Sequence, residues 1–256
     1  MTDTPLKVEQ LRDGRLLKLV LNRPKANIVD AEMIAALQSA FDKYNTQADL
    51  SAVLLCAEGP NFSFGASVEE HQPDQCDQML KSLHKLIISM LEYPVPVLVA
   101  VQGFCLGGGL EVAIAGDLLF AAPDAKFGQP EIQLAVFAPA ASCLLPERIG
   151  RAHAEDLLWS GRNADAEEAL SMGLIQRIDE DPEQIALDYF DKHLASHSSC
   201  ALRHAVWAAK QDLVVRMKEK IAVVEKRYLE DLMSSHDAVE GLSAFIEKRP
   251  AKWTHQ

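Results

Sequence analysis

The stretch Pro96–Asp117, PVLVAVQGFCLGGGLEVAIAGD, limits what this chain can fold into more than any other. Val97–Val101 is a valine-rich run with the length and composition of a strand buried on both faces. Gly107, Gly108 and Gly109 then remove every Cβ from the following turn, so a ligand can lie directly against the backbone. The segment after them has helical spacing and carries one carboxylate, Glu111. Amides at a helix start lack intrahelical partners and carry partial positive charge. Strand, glycine turn and helix start together suit a negatively charged oxygen, with Glu111 projecting one turn on from Gly108. Three glycines alone are equally compatible with a tight packing turn.

A second carboxylate separates those two readings. Gln129-Pro130-Glu131 lies within AKFGQPEIQLAVFAPAA, a segment with hardly any other charge. Burial raises a carboxyl pKa, which is what a proton donor near neutral pH needs. Two carboxyls beside one oxyanion site can divide the work as base and acid. By itself Glu131 reads more simply as a surface or capping carboxylate.

The rest of the chain sets the frame. Its 256 residues are enough for one large domain, or one domain with a helical extension. Apolar residues make up 48% and charged residues 24%, the balance of an ordinary globular protein. With 25 basic against 37 acidic residues the net charge is −12, which repels nucleic acid and anionic lipid as a whole surface. The opening MTDTPLKVEQ lacks the pattern of a signal peptide, and no apolar run approaches the ~20 residues of a membrane span. A cytoplasmic protein with no membrane partner is expected. Cys56, Cys76, Cys105, Cys143 and Cys200 show no paired spacing, which argues against a disulfide framework or a zinc site. Cys105 lies near the glycines, but no histidine neighbours it to activate a nucleophile.

The patterning predicts strands at Leu16–Leu21, Ala52–Cys56, Val97–Val101, Leu118–Ala121 and Leu174–Ile178. Helices are expected over Asp30–Tyr44, capped by Asp30, and over Asp74–Leu91, with a Gly- and Pro-rich loop at Glu58–Pro73 between the second strand and that second helix. Further helices fall at Ala141–Ile149, Ala152–Ser160 and Ala166–Ser171, with Gly150 and Gly161 as stops. Strands alternating with helices imply an α/β fold with crossovers. From Pro182 onward the pattern is helical. In Leu202–Leu232 an apolar stripe runs through Val206, Leu213, Met217, Ile221, Val224, Tyr228 and Leu232, and Ser235 caps a last helix to about Lys248. That stripe could pack on its own core or on another subunit.

Five spaced motifs, NRPKANIVD, NFSFGASVEE, QGFCLGGGLEVAIAGD, KFGQPEI and EGLSAFIEKRPAKW, together resemble the enoyl-CoA hydratase (crotonase) superfamily. The resemblance runs from about Lys18 to Trp253. It implies a crotonase-like spiral of ββα units over residues 1–198, and a C-terminal helical oligomerisation region over 199–256. It also implies a homotrimer, or a homohexamer built from two trimers. The backbone amides of Ala66 and Gly108 would form an oxyanion hole for a thioester carbonyl. Glu111 and Glu131 match the two catalytic glutamates of the hydratases, Glu111 assigned as base and Glu131 as acid. Lys25 and Ala26 match the loop over the adenine and phosphates of coenzyme A, and Phe245 and Lys248 match positions that reach the nucleotide. Coenzyme A arrives as part of the substrate, and no metal, nicotinamide or flavin is expected.

Within the family, FSFGASV, FAPAASCLLP and SHDAVEGLSAF look most like hydratases of a cyclic dienoyl-CoA. Asn27 stands one place earlier than in the usual NRPKxxNAL, Ser67 replaces a common Asp, and Phe64 replaces a small residue. FAPAASCLLP replaces a glycine-rich segment. With Gly107, Phe64 and Ser67 are therefore candidate substrate contacts that suit a bulky acyl group. Hydration or isomerisation of straight-chain enoyl-CoA, and a non-catalytic RNA-binding or scaffold role, remain the alternatives. Histidine in general can serve as a base near neutral pH, which brings in His71 and His84, but His84 reads as a helix-face histidine, and neither is assigned a role.

Overall fold

The computed structural model describes residues 4–73 and 75–256. A six-stranded sheet, in the order β1-β2-β3-β4-β6-β9, is built from β1 Leu6–Leu11, β2 Leu16–Leu21, β3 Ala52–Ala57, β4 Val97–Val101, β6 Leu118–Ala121 and β9 Arg177–Ile178. In this sheet β1 runs antiparallel to β2, and β2, β3, β4, β6 and β9 pair parallel in that order. A smaller sheet, β5 Phe104–Leu106, β7 Lys126–Gly128 and β8 Asn163–Asp165, stands beside it.

Alternation along the strands divides the core. Val97, Val99 and Val101 of β4 face the main cluster, with helices α1 Ala31–Tyr44 and α2 Cys76–Leu91. Leu98 and Ala100 face the other way, under helix α6 Pro182–His193, whose Phe190 is fully buried. A strand covered on both sides has no polar face, and β4 is therefore apolar throughout. Asp30 caps α1 by accepting a hydrogen bond from Met33 N at 2.9 Å. The expected first residue of α2, Asp74, lies outside the described residues.

Several expectations change. Strand β1 was not anticipated, because Lys7, Glu9 and Gln10 face solvent on an edge strand and leave no apolar run. Val97–Val101 does not lead straight into the glycines, since β5 intervenes. Gly107–Gly109 do not form a turn either. They are the first three residues of helix α3, Gly107–Ala115. The two helices expected either side of Gly150 are present, end to end within α4, Pro139–Ser160, and Gly150 separates them by leaving helical geometry at φ 73°. Beyond α5 (Ala166–Met172), Leu174–Ile178 keeps only two strand residues, because Leu174 is spent on the turn ending α5, its amide bonded to Ala169 O at 2.9 Å.

Helix α7, Ser199–Glu230, lays the predicted stripe on the chain's own core, burying Met217, Ile221 and Tyr228. Trp207, Val215 and Val223 on its other face stay exposed. Helix α8, His236–Ile246, follows, capped by Ser235 as expected. Among the described residues no helix is long and apolar enough to cross a membrane.

Candidate active site

The site is assembled where α3 begins. Gly107 has φ +49°, and a Cβ there would sit 2.6 Å from Glu131 Oε1, so any other residue would both strain the backbone and displace that carboxyl. A Cβ on Gly108 would lie 2.9 Å from Ala66 Cβ and 3.0 Å from Ala66 N. The two backbones can approach this closely only because the side chain is missing.

The loop carrying Ala66 is fixed from below. Ser63 Oγ donates to Asn27 O at 2.8 Å and accepts from Gly65 N at 3.1 Å, while Val29 N donates to Gly65 O at 2.9 Å. Among the described residues, neither Ala66 N nor Gly108 N donates to a protein acceptor. Both residues line one cavity of about 80 Å³. Paired free amides beside a helix N-terminus can receive a carbonyl oxygen as it gains negative charge.

Glu111 and Glu131 line the same cavity, among Phe64, Leu83, Val136 and Phe137. Glu111 is almost fully buried on α3, and Ala141 N, in the first turn of α4, donates to its Oε1 at 2.9 Å. Burial pushes its pKa up, while the Ala141 amide and the charge of His84 pull it back. Glu131 sits in the 3₁₀ turn Pro130–Leu134. Burial first, then the charge of Glu111, pushes its pKa up to about 8. The Gln129 amide, turned to donate, places its nitrogen 3.1 and 2.9 Å from the two Glu131 oxygens. Once Glu131 holds a proton, the reverse orientation lets Gln129 accept it and donate to Gly107 O. The pair is thus unequal: a carboxyl held by a helix N-terminus faces one biased toward its acid form.

The other predicted residues divide. Phe64 lines the cavity and stacks at 5.2 Å against Phe104, both rings partly open to solvent. Ala26 O accepts from Phe64 N at 2.9 Å, which holds the Lys25–Ala26 loop close to the loop carrying Ala66. Lys25 takes φ +84°, an uncommon backbone for a residue with a side chain. Ser67 turns away, its hydroxyl donating to Glu69 at 3.0 Å, and does not line the cavity. Phe245 and Lys248 are exposed, and of α8 only Leu242 reaches the cavity. Cys105 is fully buried, and burial holds its thiol well above the usual range, which leaves no thiolate for nucleophilic work.

Three contributors escaped the sequence reading. His84 is no surface residue; it is buried on α2, its Nδ1 2.5 Å from Glu225 Oε2 on α7. Asn27 is fully buried and ties its loop together, accepting from Arg23 N and donating to Glu58 O and Asn61 O. Tyr228 packs edge-on against Phe137 at 5.3 Å with a hydroxyl that has no partner among the described residues. Tyr228 lies on the apolar stripe read from the sequence, but the contacts of these residues with Glu58, Asn61, Phe137 and Glu225 join distant segments, and no local pattern marks them. Among the described residues no group of three or more His, Cys, Asp or Glu side chains is arranged to hold a metal ion.

Residues 12–256 match the Enoyl-CoA hydratase/isomerase family. The cyclohexa-1,5-dienecarbonyl-CoA hydratase of Thauera aromatica is 64% identical over 253 residues, 99% of this chain and 98% of the relative. The solved structure of an enoyl-CoA hydratase/isomerase from Pseudoalteromonas atlantica matches with TM-score 0.85 at 28% identity, covering 98% of this chain and 100% of that one. An enoyl-CoA hydratase from Bacillus halodurans shares the fold, with TM-score 0.86 at 22% identity over 94% and 99% of the two chains. The expected α/β crotonase-like spiral with a C-terminal helical region is thus the architecture present. The chain belongs to the enoyl-CoA hydratase/isomerase family.

Proposed function

We propose that this protein adds water to cyclohexa-1,5-diene-1-carbonyl-CoA, giving 6-hydroxycyclohex-1-ene-1-carbonyl-CoA, as a cytoplasmic lyase of anaerobic benzoyl-CoA breakdown. The observation that carries the reading is the pairing of Glu111 and Glu131 in one apolar cavity against the free amides of Ala66 and Gly108. The Thauera aromatica relative supports the choice of substrate.

The thioester oxygen is taken to rest on Ala66 N and Gly108 N. Glu111 removes a proton from water as the oxygen bonds to the β carbon of the ring. The electrons of that double bond move onto the thioester oxygen and along the remaining double bond. The two amides stabilise this dienolate more than the starting ester, and one such donor is worth ~3 kcal/mol. Glu131 then delivers its proton at the far end of the conjugated system, across the ring from the new hydroxyl. A proton passing from Glu111 to Glu131 restores the starting state. The assignment follows the environment: the Ala141 amide favours a charged Glu111, and burial beside that charge favours a protonated Glu131.

Lys25 and Ala26 are proposed to cover the nucleotide of coenzyme A, with Gly107 and Phe64 shaping the acyl entrance. Phe245 and Lys248, exposed at the end of α8, are proposed to reach the nucleotide bound by a neighbouring subunit. On this reading residues 199–256 join a homotrimer or a dimer of trimers. The exposed Trp207, Val215 and Val223 of α7 support a partner there. Sedimentation that finds only monomer would reject that part.

Chromatography of the products formed from cyclohexadienoyl-CoA and from crotonyl-CoA tests the function. Faster turnover of the ring ester to the 6-hydroxy product is expected. A preference for crotonyl-CoA would replace the substrate, and RNA retention without turnover of any CoA ester would replace the enzyme reading altogether.

A further inference from the structure

His71 has no part in the chemistry above, yet it lines the same cavity as the two glutamates. It ends the 3₁₀ turn Glu69–His71, five residues beyond Ala66. Its Nδ1 lies 2.6 Å from Ser67 O. A carbonyl oxygen only accepts, so Nδ1 carries the hydrogen and donates. Burial also disfavours the imidazolium and lowers the His71 pKa. The ring is therefore neutral, its tautomer is set by the backbone, and its remaining polar atom, Nε2, is an acceptor.

The surroundings offer that acceptor nothing. Among the described residues no protein donor bonds to His71 Nε2, and the cavity that His71 lines is walled largely by apolar side chains, Val68, Leu80, Leu83 and Leu242 among them. A polar atom in an apolar wall costs stability unless something hydrogen-bonds to it. The donors already in the cavity are committed: the Ala66 and Gly108 amides to the thioester oxygen, the Glu131 proton to the ring. One further donor enters with the attacking water: the O–H it keeps becomes the ring hydroxyl, which the unreacted ester lacks.

We infer that His71 is a substrate-positioning residue whose Nε2 accepts a hydrogen bond from the ring hydroxyl formed by hydration. The inference rests on the hydration proposed above. It assigns no proton transfer to His71. What it adds is recognition of the hydroxylated side of the equilibrium, and with it the rotational setting of the ring about its bond to the thioester. A side chain that recognises the hydroxyl must distinguish two esters of one ring size that differ in that group.

The test compares inhibition constants of two ligands, 6-hydroxycyclohex-1-ene-1-carbonyl-CoA and cyclohexanecarbonyl-CoA, against hydration of the diene ester. In His71→Met the constant for the hydroxylated ester should rise by about three- to tenfold, the range of one neutral hydrogen bond. The constant for the saturated, hydroxyl-free ester should stay as in the parent protein. His71→Gln, which can place an acceptor near the Nε2 position, should restore most of the difference. A parallel loss for both esters would mean that His71 merely packs, and an unchanged constant for the hydroxylated ester would overturn the contact. The saturated ester also reports whether each variant keeps a folded site. Absence of diene hydration in the parent protein would instead fail the underlying function, before any variant is compared.

Discussion

Replacing Gly108 by Ala puts the oxyanion hole itself under test. Gly108 has no positive φ, so Ala fits the backbone, and in a helix it is favoured over Gly by ~1 kcal/mol. That gain opposes the cost of crowding Ala66, so fold stability should change by little. The cost falls on Ala66: the new methyl carbon would stand 2.9 Å from its Cβ and 3.0 Å from its amide nitrogen, where ordinary contacts begin at 3.4 Å. That deficit forces the two segments apart by a few tenths of an ångström. The Ala66 loop is tied by Ser63 and Val29, so the displacement falls on the spacing between the two amides. Loss of one well-placed donor costs ~3 kcal/mol, or ~10²-fold in kcat. Steady-state kinetics on the ring ester, with a thermal melt as the folding control, measures this. A kcat within threefold of the parent, with an unchanged or raised Tm, would refute the claim that the Ala66 and Gly108 amides jointly hold the oxygen.

Glu111→Gln and Glu131→Gln should each lower turnover by ~10²-fold or more while thioester binding, followed by calorimetry, stays nearly intact. Near-normal hydration in either variant would remove it from the chemistry. If Glu131 works as the acid, as proposed, turnover should fall as pH rises through about 8, and a pH–rate profile without that limb would count against the assignment. Stability moves in the same window: the folded pKa lies above the ordinary 4.5, so the native state holds a proton that the unfolded chain has lost. Stability should decline from about pH 4.5 to about pH 8 in the parent protein, and the Tm advantage of Glu131→Gln should widen over that range. Replacing His84 by Gln removes a charge that lowers the Glu111 pKa, so the acid limb of kcat/KM should move to higher pH.

What the sequence disclosed depended on where the physical constraint acted. Strand β4 was legible because burial on both faces demands an unbroken apolar run, and α1 because Asp30 and an amphipathic period mark both its start and its inner face. Edge strand β1 and the three-residue strands β5, β7 and β8 carry too few constrained positions to stand out. The glycines announced a close approach but concealed its form. Glycine is a poor helix former, yet α3 begins with three of them, because side chains at these positions would collide with Glu131, Ala66 and Ser63. Packing against the site overrides propensity here. The His84–Glu225 contact joins residues 141 apart, so nothing local foretells it.

The division of labour between the carboxyls shows the same limit at the level of chemistry. Composition around Glu111 and Glu131 is similarly apolar, and desolvation raises both. Burial alone would leave two neutral acids and no base. The asymmetry comes from outside either motif, in the amide of Ala141 at the start of α4. That helix opens within FAPAASCLLP, the segment read as replacing a glycine-rich one. Its structural effect is broader. With Pro139 at its first position, α4 directs its free amides at Glu111, and the helix dipole favours the carboxylate there. Glu131 takes a backbone bond from its own amide in the short 3₁₀ turn, but burial and the charge on Glu111 outweigh it and discourage its ionisation. On the proposed assignment one helix start bears on both carboxyls: its amide favours the charged form of Glu111 against the pull of burial, and that charge disfavours ionisation of Glu131.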